Sequence, residues 1–329
     1  MNMSLTNVNN RITKILGIKY PIIQGAMSWV TNAELVAAVS NAGGLGILGP
    51  HAGQNSNPKS FEEIIHRLKT EIRKVKSLTS KPFGVPIIIS NDLSTIDVIA
   101  DLLIAEEVKV ALINGMDDFD FAPLFKKLKA NNIKTIFRSM TPSIENAIYA
   151  EKLGADILVA TGFDEGGTVP EKVIGTFSIV PMIADVVSIP VMAAGGIADA
   201  RGVRAAFALG AEGIFAGTVF IATKENPAAE NVKQLIVNHT ASDLLLFKTK
   251  PAYYRSIPTP YSHELLAMDE GGKSRDEIAN KMYSEQGLKV GMLDGNLESG
   301  YITVGNGLSY IKNIRSVKEV VEDLMQNFR

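Results

Sequence analysis

Short apolar runs alternate with longer segments of helical period along the first two-thirds of the chain. The runs YPIIQGAM (20–27), GLGILG (44–49), FGVPIII (83–89), KVALIN (109–114), IKTIFRS (133–139), DILVAT (156–161), IPVMAAG (189–195) and GIFAGTVF (213–220) have the length and composition of strands. Most are continuously apolar rather than alternating, as in parallel strands covered on both faces. Between them, NAELVAAVSNAG, SFEEIIHRLKTEIRKVKSL, SIENAIYAEKLG and DARGVRAAFALG repeat apolar positions every three or four residues. Asn32, Ser60 and Asp199 stand where N-caps belong, and Gly43, Gly154 and Gly210 where helices end. GAD (154–156) and GAE (210–212) both read as a glycine stop leading into the next strand.

Eight strands in βα alternation predict an α/β protein built as a (β/α)8 TIM barrel, with a doubly wound sheet as the alternative. After Phe220 the rhythm stops. AENVKQLIVNHT and SRDEIANKMYSE read as helices, KPAYYRSIPTPY carries three prolines, and no run comparable to a barrel strand follows before about residue 310. SVKEVVEDLM then supplies the eighth barrel helix. The expected organisation is a barrel of residues 1–224 plus 311–329. A smaller, mainly helical and loop-rich insertion, 225–310, would cover the barrel mouth.

Composition narrows the function classes. The 329 residues carry a formal charge of −2 with both signs interspersed, so no basic stripe points to nucleic acid. The polar start MNMSLTNVNN has no apolar h-region, so no signal peptide is expected there, and IDVIADLLIA is too short and too acidic to span a bilayer. No membrane association is expected, and a cytoplasmic address is the default. The absence of cysteine removes a disulfide scaffold, a thiolate nucleophile and Cys-ligated metal. The four histidines, His51, His66, His239 and His263, lack metal-binding spacing, so no metal is expected.

Candidate chemistry gathers at the strand ends. In (β/α)8 barrels, the loops after strands seven and eight commonly bind phosphate through backbone N–H groups and a helix N-terminus. Here those strands end in AAGGI and AGT, so Gly195, Gly196, Gly217 and Thr218 are candidate phosphate ligands; tight turns are the plainer reading. Neither GxGxxG nor a Walker motif is present. Gly25, Ala26, Met27 and Trp29 at the end of strand one would make a flat apolar wall for a planar ring, or simply core. TGFDEGGTVP (161–170) follows strand six, where Asp164 and Glu165 are candidates for acid–base work or for holding a hydroxylated chain, against a solvated turn.

These stretches, YPIIQGAMSWVTNAELVAAVSNAGGLGILG, SLTSKPFGVPIII, GFDEGGT, IPVMAAGGIADARG and LGAEGIFAGTVF, resemble the FMN-dependent group of nitronate monooxygenases and enoyl-acyl-carrier-protein reductase II. The resemblance covers roughly residues 10 to 225, with a weaker echo in GYITVGNGLSYI. It implies a barrel holding FMN noncovalently, with Gly25, Ala26 and Met27 against the ring system. Gly195, Gly196, Gly217 and Thr218 would hold the phosphate, and Thr161 and Gly166 would touch the flavin. Relatives carry an acid–base histidine after a glycine pair in the loop behind strand six; this chain has Thr168 there, a poor base at neutral pH. Where relatives often carry an asparagine on strand three, this chain has Pro86.

The resemblance therefore implies an FMN-dependent oxidoreductase in which NADH or NADPH reduces the flavin and an enoyl thioester or quinone is the acceptor. Nitronate oxidation with molecular oxygen is the alternative, and a non-catalytic barrel binding a phosphate-bearing metabolite is a third reading. A nucleotide dehydrogenase working through a covalent thioimidate is excluded by the lack of cysteine. Catalytic candidates are Thr168, Glu165 and His263, with Tyr253, Tyr254 and Tyr261 able to supply a proton or to form a structural knot. The expected partners are a small-molecule or acyl-thioester substrate, and the reading allows a homodimer.

Overall fold

The computed structural model describes residues 10–89, 93–115, 120–284, 286–326 and 328. Chain order gives β1 (Ile22–Gln24), β2 (Leu45–Ile47), β3 (Phe83–Ile88), β4 (Val110–Gly115), β5 (Lys134–Ser139) and β6 (Ile157–Thr161), then β7 (Gly167–Val169), β8 (Val191–Ala194) and β9 (Gly213–Ala216). All but β7 form one closed parallel barrel, which β9 completes by pairing with β1 through Phe215 and Ile23. Each predicted strand is present, and the sheet is closed rather than open.

Two-sided burial explains the continuous apolar runs. Ile23, Leu45, Ile47, Leu112, Ile136, Ile157, Val159 and Met192 fill the interior. Val85, Ile87, Ala111, Ile113, Leu158 and Ala160 face the surrounding helices. The helix Arg11–Leu16 closes the N-terminal end by adding Ile12 and Leu16 to the interior cluster. Asn32, Ser60 and Asp199 cap their helices by accepting from Leu35, Glu63, and Arg201 and Gly202 N–H groups respectively. The helix Val317–Leu324, opened by a Ser316–Glu319 capping box, packs between helices Ala33–Asn41 and Ala200–Ala208, the place of the eighth barrel helix.

The stretch 225–310 differs from its expectation. It contains β10 (Leu245–Lys248), β11 (Tyr253–Ile257) and β12 (Ile302–Thr303) besides helices Glu230–Asn238, Pro260–Glu270, Arg275–Ser284 and Gly287–Met292. The three strands form an antiparallel sheet, and β7 from the loop after β6 joins it by pairing with β11. The proline-dense KPAYYRSIPTPY hid β11 because its prolines fall just outside the strand, at 251, 258 and 260. A second core of Phe247, Tyr254, Tyr261, Leu265, Ile278, Met282 and Tyr301 supports this sheet.

Gly46 in β2 lets helix Ala33–Asn41 lie directly on the barrel, since a Cβ there would stand 2.7 Å from the Val36 Cα. Gly46→Ala is expected to destabilise the protein by about 1–3 kcal/mol, because backbone rather than a side chain must give way. Urea midpoints of the two proteins at one temperature measure the difference.

Candidate active site

A cavity opens at the C-terminal ends of the barrel strands. Gly25, Ala26 and Met27 follow β1, Gly195 and Gly196 follow β8, Gly217 and Thr218 follow β9, and Glu165, Gly166 and Thr168 come from the loop behind β6; all line it. The structure therefore brings together most of the residues singled out in the sequence. Small residues recur because main chains pass close to one another here. Gly195 and Gly196 have φ of +104° and +73°, and a Cβ on Gly195 would sit 2.9 Å from the Gly162 carbonyl oxygen. The Thr218 hydroxyl accepts from the Gly305 N–H at 2.9 Å, which leaves its own proton to donate toward an anion.

Thr161 does not line the cavity, but it lies beneath it in register with the lining residue Ala194. Its hydroxyl is buried with no hydrogen-bond partner in the protein. A buried orphan of this kind costs about 1–3 kcal/mol unless something else satisfies it. Its position suits a group bound above it.

The other departures are plain. His263 is exposed on helix Pro260–Glu270 and does not reach the cavity. Trp29 turns away from it and stacks on His51, with ring centroids 4.3 Å apart; burial pushes the His51 imidazole down. Tyr261 is structural, stacked on Tyr301 with its hydroxyl donating to the Lys281 carbonyl at 3.1 Å. Tyr253 packs edge-on against Phe163. Only Tyr254 of that trio lines the cavity.

Asp164 organises the loop rather than reacting. Its carboxylate accepts from the Thr176 N–H at 2.8 Å, at the start of helix Thr176–Ala184, and from the Asn306 amide at 2.9 Å. Burial alone would raise this carboxyl, but those donors and the Arg255 charge outweigh it and hold the group below its usual range. Arg255, itself buried, donates to the carbonyls of Phe163 and Glu165 and lies over the Phe163 ring.

Glu165 faces the cavity and meets Arg138, whose guanidinium donates to it at 2.5 Å and to the Asn114 side-chain oxygen at 3.1 Å. Burial pushes the Glu165 carboxyl up despite the opposing pull of Arg138 and Arg255. Sequence reasoning missed Arg138 and Asn114. The signal was present, since each is a polar residue near the end of an otherwise buried strand. It also missed Gly305 and Gly307, which line the cavity from the segment GYITVGNGLSYI. Pro86 is buried in β3 and does not line the cavity.

The loop anchor makes a pH-dependent prediction. Asp164→Asn should cost about 1–3 kcal/mol at pH 7, the range for a hydrogen-bonded charge. Because the folded carboxyl titrates below its unfolded value, this stabilisation is complete above about pH 4 and is lost as pH falls through the folded value. Urea midpoints of both proteins should differ most near neutrality and converge in acid.

Comparison with known proteins places this geometry. The family model described as nitronate monooxygenase matches residues 9–327. A probable nitronate monooxygenase of Staphylococcus aureus (strain JH9) is 36% identical over 278 residues, covering 73% of this chain and 75% of that protein. The structure of FabK from Thermotoga maritima superposes with a TM-score of 0.84 at 33% identity, covering 98% of this chain and 96% of that one. A nitroalkane oxidase from Streptomyces ansochromogenes has the same fold, with a TM-score of 0.78 at 22% identity over 96% and 97% of the two chains. The solved neighbours share the barrel fold, and the chain is an oxidoreductase that belongs to the nitronate monooxygenase family.

Proposed function

We propose that this chain is an FMN-dependent reductase that takes electrons from NADH or NADPH and passes them to an enoyl thioester or a quinone. The observation that carries the reading is the glycine cradle, with Gly195, Gly196 and Gly217 at the ends of β8 and β9 leaving main chain open to an anion. The orphaned Thr161 hydroxyl and the apolar Gly25–Ala26–Met27 wall suit a planar, polar-edged ring above the barrel axis. Gly195, Gly196, Gly217 and Thr218 would hold the phosphate; Gly25, Ala26, Met27 and Gly166 would border the ring. Bound there, FMN supplies two-electron redox chemistry. The protein's share is to bind and orient donor and acceptor, to keep water out, and to manage protons.

Acceptor reduction is favoured over oxidation of neutral nitroalkanes because the wall carries Thr168 and, among the described residues, no histidine. Abstracting a carbon-bound proton needs a base, which a threonine hydroxyl does not provide at neutral pH. Family membership supports a second reading, oxidation of a nitronate by molecular oxygen. A nitronate is already an anion, so the missing base does not obstruct it.

The purified protein should be yellow and should bleach under anaerobic conditions on addition of NADH or NADPH. Bleaching only with a nitronate would favour the second reading. A protein that neither carries nor takes up FMN would overturn both. Gly195→Ala should weaken FMN binding about tenfold to a hundredfold, from strain at a positive φ, as measured by quenching of flavin fluorescence.

A further inference from the structure

The cavity faces a chemical problem that its sequence does not solve in the manner of its relatives. Reducing an enoyl thioester adds a hydride to one alkene carbon and a proton to the carbon beside the carbonyl. The proton needs a donor held within reach. Among the described residues that line the cavity, the side chains able to titrate are Arg138, Glu165 and Tyr254. Arg138 is always charged, and its guanidinium is engaged by Glu165 and Asn114. Burial raises the Glu165 carboxyl, but the group is bound to that guanidinium at 2.5 Å, which ties it to the Arg138 side of the wall. Asp164 is occupied with Thr176 and Asn306, and His263 lies outside.

Tyr254 differs in being a neutral phenol, its hydroxyl hydrogen-bonded to Tyr301 and to Thr303, which also lines the cavity. It sits on β11 directly opposite Thr168 on β7, so the two side chains share one face of the antiparallel pair. Its hydroxyl lies 3.9 Å from the point where a Cβ on Gly167 would stand, at the cavity wall. The ring is fixed by Phe247 at 6.0 Å on one side and by Tyr301, edge-on at 5.2 Å, on another. A side chain held this firmly delivers its tip to one place.

Resting on the proposed acceptor, we propose that Tyr254 is the proton donor of this site, doing from β11 what its cross-strand neighbour Thr168 cannot do from β7. The alkene π bond breaks. One new C–H bond takes the hydride equivalent supplied by NAD(P)H, and the other takes the phenolic proton of Tyr254. The tyrosinate left behind recovers a proton from water, and no further oxidant or reductant is needed. Burial, with Tyr301 and Tyr283 nearby, holds the phenol well above its ordinary range, so it stays protonated at any working pH. The charged side chains that line the same cavity are Glu165 and Arg138.

The test uses FMN-loaded protein and the variant Tyr254→Phe, which keeps the packed ring. Flavin binding and anaerobic bleaching by NAD(P)H should be unchanged. Reoxidation by crotonyl-CoA should slow by about 100-fold or more, while reoxidation by menadione, which needs no proton placed on carbon, should not. In deuterated water the wild type should label one face of the α-carbon, and any residual product of the variant should be labelled on both. Adding Thr168→His to Tyr254→Phe should restore the crotonyl-CoA reaction, with a rate that declines as pH rises through about 6.5. Equal rates and equal stereochemistry in wild type and Tyr254→Phe would overturn the assignment of Tyr254 alone. A wild type that bleaches with NAD(P)H yet transfers nothing to crotonyl-CoA would overturn the acceptor, and the donor with it.

Discussion

Everything at the barrel mouth depends on three lengths of main chain lying against one another without side chains between them. A Cβ on Gly166 would stand 2.7 Å from the Val304 Cα, one on Gly305 would stand 2.7 Å from the Asp164 carbonyl oxygen, and one on Gly307 would stand 3.0 Å from Gly196. The loop after β6, the glycine turn after β8 and the segment beyond β12 therefore interlock backbone to backbone. Asp164 ties the contact polar end to polar end, through Thr176 and Asn306, and Arg255 holds the loop from the other side. With these seams closed, Glu165 and Thr168 can face inward at fixed positions.

Much of this was legible in the sequence because it is governed by local rules. Parallel strands buried on both faces announce themselves as apolar runs, most of them continuous, and all eight barrel strands are legible in that way. Caps such as Asn32 and Asp199, and stops such as Gly154, follow from unsatisfied helix ends. The glycine turns at 195–196 and 217 were visible because barrels repeat the use of those two strand ends. What escaped was long-range. β7 is three residues long and acquires its identity only by meeting β11, more than 80 residues later. Arg138 acquires its partner only when Glu165 comes beside it from another strand end.

The cavity's electrostatics follow from this assembly. A lone guanidinium inside a barrel mouth would be costly to bury, and a lone carboxylate equally so; together, and joined by Asn114, they leave a polar but nearly neutral wall. The phenol of Tyr254 adds a donor without adding a charge. Such a lining favours an uncharged, polarised acceptor over a free anion.

The ribbon formed by β7 and β11 carries one last implication. Its register is set by main-chain pairing, Thr168 against Tyr254 and Gly167 against Arg255, while the Tyr254 ring packs beneath it on Phe247 and Tyr301. Those two positions are therefore neighbours on a common mount. A proton source on either strand of the ribbon would act beside the same cavity wall, apart from the glycine turns after β8 and β9. In this barrel, the identity of an acid is easier to change than the place from which an acid must act.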